Sequence, residues 1–266
     1  MLSLLETAGR LAHFALRTLL ALPHALARPR ELAAQLYDLL LGSLPLAFTA
    51  GAAIGVVVWL HLRGALVAVG GPGAVQYLPQ ALALAVVLEF APIAAGLIVA
   101  GRAGARLGAG LGAMNLTEQI DALEVQGLSP MRELAAPRVL ACMITLPLLT
   151  VFITALALTT GGLAEALGGT LTPMQFAAEC SRVLTLTDVI PSTLKTVVFG
   201  WLIGASGCYF GMTARGGAEG VGRSATAGVV ASLFLVLIAD VVLVKLIQVV
   251  TDQGPQLLSL WPHSGP

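Results

Sequence analysis

EFAPIAAGLIVAGRAGARLGAGLGAMNLTEQIDALEVQGLSPMRELAAPR, residues 89–138, is the stretch on which the reading of the chain turns. An apolar run passes into a segment rich in Gly and Arg, read as a turn, in which Gly104, Gly108 and Gly112 repeat at four-residue spacing and suggest close packing. An acidic amphipathic segment follows, then a Ser-Pro break, then the next apolar run. Asn115 and Glu118 have the Asn-x-x-Glu spacing of a helix N-terminus. The spacing predicts a helix from residue 115 to 126, stopped by Gly127 in the left-handed C′ position. Leu116, Ile120 and Leu123 form its apolar face, and Glu118, Asp121 and Glu124 fall within an arc of ~120°. Ser129-Pro130 then caps and opens the following helix. An acidic helix held in water between two membrane spans is a place for a soluble protein to dock.

The composition sets the surroundings of this segment. Of 266 residues, 57% are hydrophobic and 11% charged, against ~25% charged in soluble domains. Apolar runs of ~20 residues recur, enough to cross a ~30 Å hydrocarbon core as helix. The fold class is an all-α polytopic membrane protein: an interfacial N-terminal amphipathic helix, five transmembrane helices and a cytoplasmic acidic helix between the second and third of them. A β-barrel would alternate apolar and polar residues. Zero formal net charge gives no reason to expect nucleic acid. Cys142, Cys180 and Cys208 form no C-x-x-C pair, and His13, His24, His61 and His263 lack ligand spacing, so no metal site and no cofactor are expected.

Residues 1–39 are read as interfacial. Glu6, Arg10, His13 and Arg17 share one helical face, with Leu5, Ala12, Leu16 and Leu19 opposite, the pattern of a helix lying on a membrane. Pro23 and Arg28-Pro29-Arg30 break it before a second short helix over 31–39. Residues 40–250 form the transmembrane body, with spans near 40–60, 81–100, 139–160, 189–210 and 225–250, and residues 251–266 a short periplasmic tail. Residues 61–80 read as a turn, 161–188 as a turn with a short helix after Pro173, and 211–224 as a Gly-rich loop. With the N-terminus inside, segments 1–39, 101–138 and 211–224 hold ten arginines, while the outside segments hold only Arg63 and Arg182. That asymmetry satisfies the positive-inside rule and turns the acidic helix to the cytoplasm.

Three charges lie inside spans, where each costs about 3 kcal/mol on insertion scales and marks a functional candidate. At ~1.5 Å per residue, Glu89, Lys195 and Asp240 reach similar depths in the outer half of the bilayer. Lys195 pairing with Asp240 joins spans four and five; alternatively, these groups line a polar cavity open to the outside. The combination expected here is a structural Lys195–Asp240 pair with Glu89 facing the cavity. Pro92 follows Glu89 by three residues and should kink span two. Leu62, Leu66 and Val69 continue span one at helical spacing and are expected to line the cavity with Glu89.

The ordered set Glu89–Pro92, Gly101-Arg102-Ala103-Gly104, Thr117–Leu123, Pro137-Arg138, Gly217–Arg223 and Asp240 resembles the MlaE/YrbE family of ABC-transporter permeases over about residues 30–250. The resemblance implies a homodimeric permease in the bacterial inner membrane, N-terminus cytoplasmic, with two copies of a cytoplasmic ATPase subunit. It also implies a periplasmic MCE-domain lipid-binding partner, with room for a small cytoplasmic accessory subunit, and phospholipid movement between inner and outer membranes that maintains lipid asymmetry. Glu118, Asp121, Leu123 and Glu124 would then couple to the ATPase, and the chain itself would be no enzyme. Many members carry Arg just before the intramembrane Glu, whereas this chain has Leu88. If that Arg holds lipid head groups, the cation here comes from Lys195 or Arg63. The rival reading is an ion- or proton-coupled secondary transporter or channel acting without an ATPase, with Glu89 and Asp240 as ion sites. It lacks the internal repeat common in that class. An intramembrane lipid enzyme would need paired catalytic groups that the spans do not supply.

Overall fold

The computed structural model describes residues 2–169 and 171–259. Residue 170 and the end of the expected tail, 260–266 with His263, lie outside the described residues. Helix α1 covers Leu2–Leu26 and α2 covers Pro29–Gly70. A short 3-10 segment, Pro72–Tyr77, leads into α3, Leu78–Ala85. A π-turn at Val86–Phe90 joins α3 to α4, Ala91–Leu116. Next come α5, Gln119–Val125, and a second π-turn at Met131–Ala135 that opens α6, Ala136–Gly168. The chain finishes with α7, Pro173–Val183, α8, Leu186–Met212, and α9, Gly217–Ser259. No strand occurs among the described residues, and five helical stretches are long and apolar enough to cross a bilayer. The chain is an all-α polytopic membrane protein.

Several expected breaks are absent. Helix α2 runs unbroken through the boundary placed at residues 39 and 40 and through the first half of the turn expected over 61–80. Its 42 residues extend roughly 60 Å, about twice the hydrocarbon thickness. Helix α1 continues past Pro23 to Leu26. Helix α9 begins at Gly217, so the loop before it shrinks to residues 213–216, and it continues through Ser259 into the expected tail.

The segment around Gly104 and Gly108 is helix, not turn. A Cβ on Gly104 would stand 2.9 Å from the Val229 Cα, and one on Gly108 would stand 2.8 Å from the Ala225 Cα. On α8, a Cβ at Gly207 would lie 3.5 Å from the Gly104 Cα. These glycines let α4, α8 and α9 touch through their backbones, the packing that holds membrane helices together without a hydrophobic driving force. Gly104→Val should therefore destabilise the bundle by about 1–3 kcal/mol through overpacking. Gly110, with nothing within 4 Å, should accept Ala with a gain of up to about 1 kcal/mol. Thermal unfolding of the two variants in detergent checks the pair, and equal midpoints would contradict the contact.

Both π-turns have one cause. Pro92 and Pro137 lack a backbone N–H, and each ring crowds the carbonyl four residues earlier. The preceding turn widens so that Ala91 N–H donates to Val86 O, and Ala136 N–H donates to Met131 O. The kink expected from Pro92 takes this form, and it sets Glu89 within the widened turn.

Helix α1 packs by a face that its polar and leucine faces do not reveal. Ala15, Thr18, Ala21 and Ala25 are buried, and the Trp201 indole donates to Ala15 O at 3.1 Å. Glu6, Arg10, His13 and Arg17 are exposed, and so are Leu16 and Leu20, leaving charge and hydrocarbon free for a membrane surface.

The two ends of the bundle sort cleanly. At the arginine-rich end, Arg106 pairs with Asp38 at 2.9 Å, Arg28 pairs with Glu133, and Asn115 Nδ2 donates to Ala214 O at 2.8 Å. At the other end, Gln80 donates to Glu179 at 3.0 Å and Cys180 Sγ donates to Pro79 O at 3.4 Å. Burial, with Glu179 beside it, pushes the Cys180 thiol up to about 11, so it remains an unreactive thiol near neutrality.

Candidate functional site

Two features stand apart from ordinary packing. The first is a charged groove inside the bundle. Lys195, on α8, is 2% exposed at its side chain and lies 3.0 Å from Glu89 Oε2 and 3.0 Å from Asp240 Oδ1. The cation expected to pair with Asp240 thus bridges two carboxylates from two other segments, the π-turn and α9. Exposure falls from Glu89 (39%) through Asp240 (10%) to Lys195. Glu89 is the member that meets the groove, and Asp240 anchors the lysine from behind. The groove encloses about 210 Å³ between the π-turn, α8 and α9, where Leu88, Asp188, Ser192 and Gln248 join Glu89 and Lys195. Asp188 also caps α8, accepting from the Thr185 N–H at 3.3 Å.

Leu62, Leu66 and Val69 do not line this groove. Leu62 and Leu66 pack against the core of the bundle, and Val69 is 92% exposed near the end of α2. Helical spacing placed the three on successive turns, and α2 does run through all of them. Neither cation proposed for a head group presents a free charge. Lys195 is engaged as described, and Arg63 donates to Glu165 Oε2 at 2.9 Å.

Glu165 is a residue the sequence reading missed. It is fully buried and also accepts from the Trp59 indole at 2.8 Å. Trp59 and Arg63 stand one turn apart on α2, with the guanidinium 5.6 Å from the indole centre. This cluster ties α2 to α6 at the end away from most arginines. The available signal was a lone acid, Glu165, in the apolar Gly-rich run GGLAEALGG.

The second feature is the acidic connector. Helix α4 ends at Leu116, and α5 covers only Gln119–Val125. Asn115 does not cap it: the residue lies within α4, and the N-cap position of α5 falls on Glu118. The corner is made instead by Glu118, whose φ of 59° is left-handed, a conformation that costs a non-glycine residue about 1 kcal/mol or more. Gly127, at φ 76°, takes the left-handed position expected of it. Ile120 is buried and Leu123 half-buried, while Glu118, Asp121 and Glu124 are exposed. Val125 at 89% and Leu128 at 40% exposure add apolar surface beside the carboxylates. Pro130 opens the next helix as its spacing predicts.

Among the described residues no group of three His, Cys, Asp or Glu side chains could hold a metal ion.

Comparison with known proteins bears on both features. Residues 32–246 match the family described as Permease MlaE. A protein of Rickettsia typhi named a probable ABC transporter permease is 37% identical over 164 residues, 62% of this chain and 63% of its own length. A Synechocystis protein of the same designation is 35% identical over 168 residues, 63% of this chain and 64% of its own. The chloroplastic protein trigalactosyldiacylglycerol 1 of Arabidopsis thaliana is 38% identical over 163 residues, 61% of this chain and 46% of its own. The matched chain therefore spans less than two thirds of these relatives.

Proposed function

Given that this chain belongs to the MlaE permease family, we propose that it is the membrane permease of an ABC transporter that moves phospholipids between inner and outer membranes, powered by a separate ATPase. The observation that carries this reading is α5, a short acidic helix outside the bundle with its carboxylates exposed. A permease body needs such a handle for a soluble motor, and its names among relatives, ABC transporter permease proteins, accord with it. The galactolipid in the name of the Arabidopsis relative supports a lipid cargo. On this reading residues 40–250 are the permease body, 115–126 hold the coupling helix, and 1–39 rest on the inner membrane with the N-terminus in the cytoplasm. The tail from 251 then emerges in the periplasm, facing an MCE-domain partner. Two copies of the permease, each bound to an ATPase subunit, would close around the cargo. The chain itself contributes no catalysis: its part is to bind, orient and release lipid as the ATPases drive its helices.

Glu89 is the groove carboxylate assigned to lipid. Glu89→Ala should lower phospholipid co-purified with the transporter, and lipid-stimulated ATP hydrolysis, by about tenfold, the worth of one hydrogen bond to a charged group. Glu89→Gln, which keeps the shape, should fall between. Mass spectrometry of retained lipid and an ATPase assay read both, and wild-type values in Glu89→Ala would remove the groove from the lipid path.

A further inference from the structure

Four of the ten arginines at this end are engaged. Arg10 pairs with Glu6, Arg28 with Glu31 and Glu133, and Arg106 with Asp38. Arg138 donates to the carbonyl of Leu134. Arg17 of α1 and Arg132 of the π-turn before α6 form no ion pair among the described residues, and both are exposed. They line one crevice of about 310 Å³, together with Ser129, Met131 and Leu20. Two guanidiniums and a hydroxyl around one opening provide the forked donors that suit a phosphate.

The crevice does not stop at its charges. On the other side of Arg17 it gives way to a hollow of about 540 Å³ with Phe14, Met131 and Tyr209 as its apolar wall and Glu6, Arg10 and His13 of α1 along its rim; the rings of Phe14 and Tyr209 meet edge to face at 5.7 Å. Leu20, on the α1 turn after Arg17, is 81% exposed. A free anion would have no use for hydrocarbon on both sides. An amphiphile with an anionic head would use both. The hollow lies along a helix whose exposed leucines and basic residues suit the membrane interface.

We propose that Arg17 and Arg132 form a binding site for the phosphate of an anionic lipid in the adjacent leaflet, separate from the groove at Glu89. The lipid's glycerol and upper acyl chain lie against Phe14, Met131 and Tyr209. The site joins α1 to the connector residues Ser129–Arg132, which lead from α5 into α6, so an occupant braces the acidic helix against the membrane surface. The cargo groove is bounded by different helices, and the two sites are tested separately.

The test is native mass spectrometry of the full chain in detergent, given phosphatidylglycerol and phosphatidylcholine in equal amounts. The wild type should retain phosphatidylglycerol in preference to phosphatidylcholine. The double variant Arg17→Gln/Arg132→Gln should bind it about 30-fold more weakly, equivalent to about 2 kcal/mol for two interfacial cations. Arg215→Gln, which alters an exposed arginine outside the crevice, should leave retention unchanged, and millimolar inorganic phosphate should not displace the lipid. Equal retention by the double variant would overturn the site. So would the absence of a wild-type preference for phosphatidylglycerol, a reading that needs no variant to fold. Displacement by inorganic phosphate would replace the lipid with a free anion.

Discussion

Replacing Lys195 with methionine is expected to cost the bundle about 3 kcal/mol or more, the usual penalty for leaving a buried charge without its partner. Lys195 is 2% exposed, and its ammonium lies 3.0 Å from each of two carboxylates. Without it, Asp240 at 10% exposure has no cation beside it, and Glu89 at 39% has only the groove. The ranking of single variants follows burial: Lys195→Met should be worst, Asp240→Asn milder, Glu89→Gln mildest. Replacing all three with apolar residues of similar size should recover most of the loss, because a buried ionic cluster contributes little over well-packed hydrocarbon. Thermal unfolding in one detergent reads the series. If Lys195→Met melts with the wild type, the ion bridge is not what joins α8 to α9 and the π-turn.

The second large effect concerns the acidic connector and rests on the proposed function. Reversing Glu118, Asp121 and Glu124 to lysine should weaken ATPase binding by about two orders of magnitude, taking about 1 kcal/mol for each exposed charge. The permease should remain folded, since none of the three makes a contact that holds the bundle: all are exposed, and the buried residue of α5 is Ile120. Co-purification of the ATPase, with gel filtration of the permease as a control, gives the answer. Retention of the ATPase at wild-type levels by a well-folded triple variant would mean that the motor docks elsewhere. Val125 and Leu128, exposed beside the acids, supply the apolar centre that a charged rim alone lacks. Their truncation should weaken binding without changing its salt dependence.

The five crossings were legible because each needs a long apolar run and little else. The meeting of Lys195 with Asp240 was legible from helix rise alone, since depth in a bilayer is nearly one-dimensional. What stayed hidden depended on the third helix in each contact. The four-residue spacing of Gly104 and Gly108 announced close packing, but not that they lie in helix instead of turn, nor that Val229 and Ala225 on α9 are what they meet. The small-residue face of α1 was hidden because Ala and Thr carry little hydrophobic signal, and only Trp201 reveals its use. Asn115 carried a capping spacing, but α4 continues through it to Leu116 and the corner falls on Glu118 instead. Glu165 belongs with Trp59 and Arg63, about a hundred residues away, and no local pattern announces that.

The close approach of Gly104, Gly207 and Gly228 has a mechanical consequence. A Cβ at Gly228 would lie 3.0 Å from the Gly104 carbonyl oxygen and 3.6 Å from the Gly207 Cα. Where main chains abut, no rotamer change can absorb a load, so the three helices travel as one stiff strut. If the acidic connector is where the motor pushes, as proposed, the load is expected to pass along this strut, with compliance left to the two overwide coils before Pro92 and Pro137, one of which holds Glu89.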